Sequence, residues 1–188
     1  GFSIMVKAIE FTVTCIYDRE TVELETYNAY VERTIAIPDG VDHSKITTAV
    51  VVEPDGTTHH VPTAIIEIDG IYYAVINSLT NSIYTLINNP AEFSDVEGHW
   101  AQDSVNDMAS RKILSGYDDG TFDPDGDITR AEFTAIVVRA LGLSEGMGGN
   151  TFTDVSNKKW YCGSVETASD YGIITGYANG TFHPNDKI

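Results

Sequence analysis

The stretch that decides the fold reads Ile113-Leu114-Ser115-Gly116-Tyr117, then Gly120-Thr121-Phe122-Asp123-Pro124, then Ile128-Thr129-Arg130-Ala131-Glu132. The chain repeats most of it as Ile173-Ile174-Thr175-Gly176-Tyr177, Gly180-Thr181-Phe182, Pro184 and Ile188. Upstream, Phe93-Ser94-Asp95-Val96 and Trp100 match Phe152-Thr153-Asp154-Val155 and Trp160, and the two tryptophans stand 60 residues apart. From the tryptophan to the final isoleucine that offset holds without a gap. A period of this length, with matched Trp, Gly and Pro, marks a repeated structural unit and not low complexity. Repeated units stack, and the grooves between stacked units are where such proteins bind.

Within the first copy the hydrophobic period is helical. Ala101, Val105, Met108 and Ala109 fall on one face, and Phe133, Ile136, Val137, Ala140 and Leu141 fit the i, i+3, i+4, i+7, i+8 pattern. Two short amphipathic helices are expected, joined by a turn-rich loop over 116–128. Residues 144–150, with Gly146, Gly148 and Gly149, read as a flexible linker. The second copy spans 151–188 and stops before its second helix.

Working outward to the N-terminus, the period changes to two. Val22-Glu23-Leu24-Glu25 alternates, and residues 46–52 are rich in β-branched side chains. Pro38-Asp39-Gly40 and Pro54-Asp55-Gly56 are turn signals. Ile65-Ile66-Glu67-Ile68, Asp69-Gly70 and Ile71-Tyr72-Tyr73-Ala74-Val75-Ile76 predict a type I′ hairpin. About seven strands are expected, which suits an immunoglobulin-like β-sandwich. Asn88-Asn89-Pro90 closes this region, since proline does not extend a central strand. The expected organisation is a β module at 1–90, a first repeat and linker at 91–150, and a truncated second repeat at 151–188.

The net charge is −17, which argues against nucleic acid and anionic membrane surfaces, since both require basic patches. No apolar run approaches the roughly 18 residues of a membrane span. Cys15 and Cys162 lie far apart with no CxxC spacing, so metal and redox chemistry are not expected of them, and two inert thiols are preferred to a disulfide. The chain opens on Gly1 without a targeting segment and reads as an internal piece of a longer protein.

The motifs quoted above resemble the S-layer homology family. The likeness rests on the Phe93-Ser94-Asp95-Val96 opening with His99-Trp100-Ala101, on the loop Gly116-Tyr117-Asp118-Asp119-Gly120-Thr121-Phe122-Asp123-Pro124, and above all on Ile128-Thr129-Arg130-Ala131-Glu132, the family's signature. It covers about 93–188. The resemblance implies an extracellular anchor that holds S-layer proteins and surface enzymes non-covalently to a secondary cell-wall polysaccharide, often one carrying pyruvate ketals on N-acetylmannosamine. It also implies three repeats in a pseudo-threefold arrangement. The N-terminal half is similar to the β module that precedes such repeats in Gram-positive surface proteins and secreted polysaccharide-degrading enzymes.

Physical chemistry assigns roles within the signature. Thr129-Arg130-Ala131-Glu132 has capping-box form, so Thr129 and Glu132 are expected to hold the helix start. Arg130 falls at N1, where the positive end of the helix dipole disfavours a cation. An arginine fork beside free helix-terminal amides makes a carboxylate site, and a pyruvate ketal presents one carboxylate. The competing reading pairs Arg130 with an aspartate between Asp118 and Asp127. Gly116 and Gly176 read as left-handed helix caps that also let sugar approach the backbone. Tyr117 and Tyr177 are candidates for stacking on sugar, as are Trp100 and Trp160, although core packing is the preferred reading of both tryptophans. Phe122, Phe182, Pro124 and Pro184 read as packing residues.

The aspartates of the loop fail the EF-hand pattern, because position 6 is Ile128 counted from Asp123 and Pro124 counted from Asp119. The second copy keeps the same frame with Ala178, Asn179, His183, Asn185 and Lys187 there. His59 and His60, adjacent on a strand, point to opposite faces and do not share a metal. No nucleophile elbow, HExxH or P-loop is present. The expected function is non-catalytic cell-wall anchoring without a cofactor. Arg130 would meet the ligand's carboxylate, Gly116, Tyr117, Trp100, Gly176 and Tyr177 would contact sugar, and Arg130→Ala would leave melting nearly unchanged. The alternatives are a self-assembling surface-layer or filament protein, which includes pairing with a further repeat, and the carbohydrate-binding tail of a secreted glycoside hydrolase. An aromatic strip including Tyr72 or Tyr73 would favour the last.

Overall fold

The computed structural model describes every residue except Met147, Gly148 and Asn150. Among the described residues nine strands are followed by three helices: β1 Ser3–Glu10, β2 Thr14–Tyr17, β3 Glu20–Glu23, β4 Thr26–Ala36, β5 Thr48–Val52, β6 Thr58–Val61, β7 Thr63–Ile68, β8 Ile71–Thr80, β9 Ile83–Asn88, α1 Gln102–Ser110, α2 Arg130–Ala140 and α3 Cys162–Asp170. The strands form antiparallel sheets in the orders β1-β9-β5-β6 and β4-β8-β7, with β2 and β3 paired as a separate hairpin. One apolar core joins the two larger sheets, through Val6, Ala49, Val51, Val61, Tyr84 and Leu86 from one and Ile35, Ala74 and Ile76 from the other. Asp69 and Gly70 both take positive φ, and Ile68 pairs with Ile71, which is the two-residue hairpin expected of Asp-Gly.

The strand count exceeds the seven expected, and the reason is the β2–β3 hairpin. Its turn is Asp18-Arg19, at φ 48° and 69°, so a left-handed turn forms without glycine. Tyr72 and Tyr73 do not share one face of β8. Tyr72 stacks on His43 with centroids 3.5 Å apart, and its neighbour leaves the opposite face. His60 is buried with Nδ1 2.7 Å from Thr48 Oγ1, whereas His59 faces Glu53 at 3.2 Å, so the two histidines do diverge. Both cysteines are free thiols, Cys15 exposed on β2 and Cys162 buried in α3.

The helices sit differently from their sequence pattern. In α2 the buried residues are Ala131, Thr134, Ala135 and Val138, while Phe133 is 49% exposed and Ile136, Val137, Ala140 and Leu141 are half-buried. In α1 Val105 and Ala109 are buried, and Met108 is exposed. The cause in α2 is its neighbours, since a helix apolar on nearly all sides has no unique face of its own. On one side α2 packs against α3, and Val138 joins Leu143 and Ala168 in a core that also touches Leu79 of β8. On the other side it meets the β module, where the Tyr30 hydroxyl donates to Leu141 O at 2.6 Å. Asn89 Nδ2 donates to Ser110 O at 3.0 Å, and Lys112 Nζ donates to Thr58 Oγ1. Of the glycine-rich joint, Gly148 lies outside the described residues. Gly146 N–H donates to Thr167 Oγ1 at 2.8 Å, and Ser164 donates to Glu145 at 2.7 Å.

Candidate functional site

The two loops share one internal frame. Tyr117 N–H donates to Thr121 O at 2.8 Å, and Tyr177 N–H donates to Thr181 O at 2.8 Å. Asp119 Oδ1 accepts from the backbone and hydroxyl of Thr121, and Asn179 Oδ1 does the same for Thr181. Asp95 accepts from the N–H groups of Phe122 at 2.9 Å and Asp123 at 2.7 Å. Asp154 matches it with Phe182 and His183, both at 2.8 Å. Burial pushes both carboxyls up, but these backbone donors outweigh it and leave each below the usual carboxylate range. The matched aspartate of each copy's opening, Asp95 or Asp154, is thus a clamp on the loop.

Gly116 and Gly176 are not the left-handed caps. That position belongs to Lys112, at φ 65°, and Gly172, at φ 67°. There the N–H groups of Ile113 and Ile173 reach back to Met108 O and Ala168 O and close Schellman turns. Gly116 and Gly176 are glycines because a ring lies against them. A Cβ at 116 would stand 2.3 Å from Phe93 Cε1 and 2.4 Å from Thr121 O, and one at 176 would stand 2.2 Å from Phe152 Cε1 and 2.7 Å from Thr181 O. The missing Cβ therefore faces a packed ring and carbonyl.

The capping box at the start of α2 is present. Thr129 Oγ1 accepts from Glu132 N–H at 3.2 Å, while Glu132 Oε2 accepts from Thr129 N–H at 2.8 Å. The adjacent amides, however, are occupied. Arg130 N–H donates to Asp186 O at 2.8 Å and Ala131 N–H to Pro184 O at 3.0 Å, so the second copy's loop caps the first copy's helix. The free helix-terminal amides expected for an anion site are therefore absent from this first turn. Those carbonyls also answer why a cation is tolerated at N1, since they are themselves negative dipoles.

Arg130 reaches into the second loop, not its own. Nε donates to Phe182 O at 3.0 Å and Nη2 to Thr175 O at 3.4 Å, with the guanidinium 4.7 Å from the Phe182 ring centroid and 5.5 Å from that of Tyr177. Among the described residues no carboxylate pairs with it. Asp127, the obvious candidate, binds Lys187 Nζ at 2.8 Å, and this contact lowers the Asp127 pKa. The sequence-expected grouping thus divides in two: Arg130 stands with Gly176 and Tyr177, while Gly116 and Tyr117 belong to another cleft.

That second cleft measures about 620 Å³ and lies between the first loop, α2 and the start of the second copy. Gly116, Tyr117 and Pro124 border it, with Ile136, Arg139 and Trp160 opposite. Core packing does not describe the tryptophans: Trp160 is 57% exposed and Trp100 is 87% exposed. Trp100 stands outside the cleft lining, beside His99 at the head of α1.

The comparisons with known proteins bear on these same loops. Residues 92–134 and 151–188 match the model of the S-layer homology domain. These segments are S-layer homology domains. They place the chain at the cell surface, in association with the cell wall. Over 110 residues the chain is 36% identical to the exoglucanase XynX of Acetivibrio thermocellus, covering 58% of this chain and 10% of that protein. It is 30% identical over 125 residues to the surface layer protein of Brevibacillus choshinensis, covering 61% and 11%. It is 32% identical over 106 residues to the cellulosome-anchoring protein of Acetivibrio thermocellus, covering 54% and 24%. The chain thus spans about a tenth of the length of the first curated relatives it matches, and the matched part is a non-catalytic module. No solved structure matches it.

One residue of the S-layer homology cleft escaped sequence reasoning. Arg139 completes the stripe Glu132, Ala135, Ile136, Arg139 at i, i+3, i+4, i+7, all of which line the cleft. That spacing is readable in sequence, but the competing Phe133 stripe hid it. Trp160 was legible as a sugar-stacking candidate, but core packing was the preferred reading, and its 57% exposure reverses that preference. The cap itself makes a measurable claim. Thr129→Ala is expected to cost about 1 kcal/mol by thermal melting, and an unchanged melting temperature would remove the box from the account.

Proposed function

We propose that this chain anchors its parent protein by non-catalytic binding of an anionic, pyruvylated secondary cell-wall polysaccharide, with Arg130 as the partner of the ketal carboxylate. The observation that carries the reading is the state of Arg130. It is half-buried at the seam of the two repeats, over the rings of Tyr177 and Phe182, and pairs with no carboxylate among the described residues. A guanidinium fixed by carbonyls and rings has little freedom left to lose when a planar carboxylate docks. In this reading Gly176 and Tyr177 shape the sugar contact, and residues 1–90 form a separate sandwich module of immunoglobulin-like size ahead of the repeats at 91–150 and 151–188.

The test is co-sedimentation with purified cell walls, with and without pyruvylation. Wild-type protein should pellet with pyruvylated walls alone, and Arg130→Gln should lower binding at least about tenfold, the loss of one charge-assisted contact. Because Arg130 also braces the second loop, the substitution should cost about 1 kcal/mol of stability, so binding is read well below both melting transitions. Full retention of binding by Arg130→Gln would overturn the assignment.

A further inference from the structure

The two repeats carry one frame with different charges: the first loop is strongly acidic and the second nearly neutral. At matched positions the first loop has Asp118, Asp123 and Asp127 where the second has Ala178, His183 and Lys187. The second copy builds its loop without these acids, so folding does not demand them. In the first copy Asp118 and Asp123 line the cleft of about 620 Å³, a size within the ordinary range of ligand sites. Its aromatic walls, Trp160 and Tyr117, are each 57% exposed, which core packing does not explain. The cleft also contains Glu132, whose cap bonds both fall on Oε2.

The one arginine of the lining is already engaged. Arg139 Nη1 donates to Ser115 Oγ at 3.3 Å, and its Nε lies 3.6 Å from Glu145. The field in the cleft is therefore negative, and a carboxylate entering it would meet like charge. We infer that the first-copy cleft binds a sugar unit bearing a free ammonium group, a 2-amino-2-deoxyhexose, through the aromatic faces of Trp160 and Tyr117 and the carboxylates of Asp118 and Asp123. The inference rests on the anchoring reading for its setting, and it assigns this cleft a ligand of opposite charge from the Arg130 seam. The two sites together would read a zwitterionic repeat unit.

The probe is a β-1,4-linked glucosamine tetramer, compared with its fully N-acetylated counterpart, at about pH 6, where the amines are charged. Trp fluorescence and amide chemical shifts report binding. The amine form is expected to bind at least about tenfold more tightly than the acetylated form, and Asp118→Asn with Asp123→Asn should remove that difference. Removing two charges from the β module instead, with Asp39→Asn and Asp69→Asn, should leave the affinity at the wild-type value. Equal binding of both tetramers would overturn the inference. So would equal loss in the two double variants, which is what diffuse attraction to a net charge of −17 gives. Wall sedimentation fails or succeeds independently, since it reads pyruvylation and Arg130.

Discussion

Alanine at position 176 is expected to lower stability by about 3 kcal/mol, the upper end of the usual cost of overpacking. The added methyl would fall 2.2 Å from Phe152 Cε1 and 2.7 Å from Thr181 O, and neither is the loose end of a flexible side chain. Phe152 is buried against Phe182, with ring centroids 5.4 Å apart, and Thr181 O accepts the Tyr177 N–H that closes the loop. Relief must therefore come from the backbone. Arg130 braces that same loop through Phe182 O and Thr175 O, so the seam should loosen with it. Gly180→Ala is the control. Its φ is +80° but its nearest neighbour is 3.9 Å away, so it should cost only about 1 kcal/mol of backbone strain. Urea denaturation of the three proteins separates the cases, and equal midpoints for Gly176→Ala and Gly180→Ala would refute the ring-contact explanation.

That contrast also shows what was legible in sequence. The matched glycines of the two loops announce a special position, but sequence cannot say whether the reason is φ or a close approach. The helix-capping expectation chose φ, and the structure placed φ > 0 at Lys112 and Gly172 instead. The capping box was readable because it is local: four residues supply both donors and both acceptors. The occupancy of the neighbouring amides by Asp186 O and Pro184 O was not readable, because it depends on how two copies meet. The same limit governs α2. Its sequence supports two apolar stripes, and the choice between them was made by α3 and the β module. The Asp-Gly hairpin was legible from its turn residues, whereas the Asp18-Arg19 turn was not, since neither residue is a strong turn signal in that pair.

Acidification is expected to destabilise the β module through His60. This ring is 4% exposed on β6, at the sheet edge that meets α2, and its pKa is lowered to about 4, chiefly by burial and further by the positive charges of Arg111 and His59. The unfolded chain titrates near the ordinary value of 6.5. Between these values the unfolded state holds more protons than the folded state, so stability rises with pH. The contribution is complete above about pH 6.5, declines as pH falls and is lost once pH passes below about 4, a total of about 3 kcal/mol at 1.36 kcal/mol per pKa unit. Many carboxylates titrate over the lower part of this range, so the informative quantity is a difference. His60→Gln keeps a polar partner for Thr48 Oγ1, which lies 2.7 Å from Nδ1, and removes the titration. Stability measured from about pH 7.5 to 4 should show the variant gaining on wild type by about 3 kcal/mol as pH falls. A difference that stays constant across that range would mean that His60 protonates as freely in the folded protein as in the unfolded chain, and the burial argument would fail.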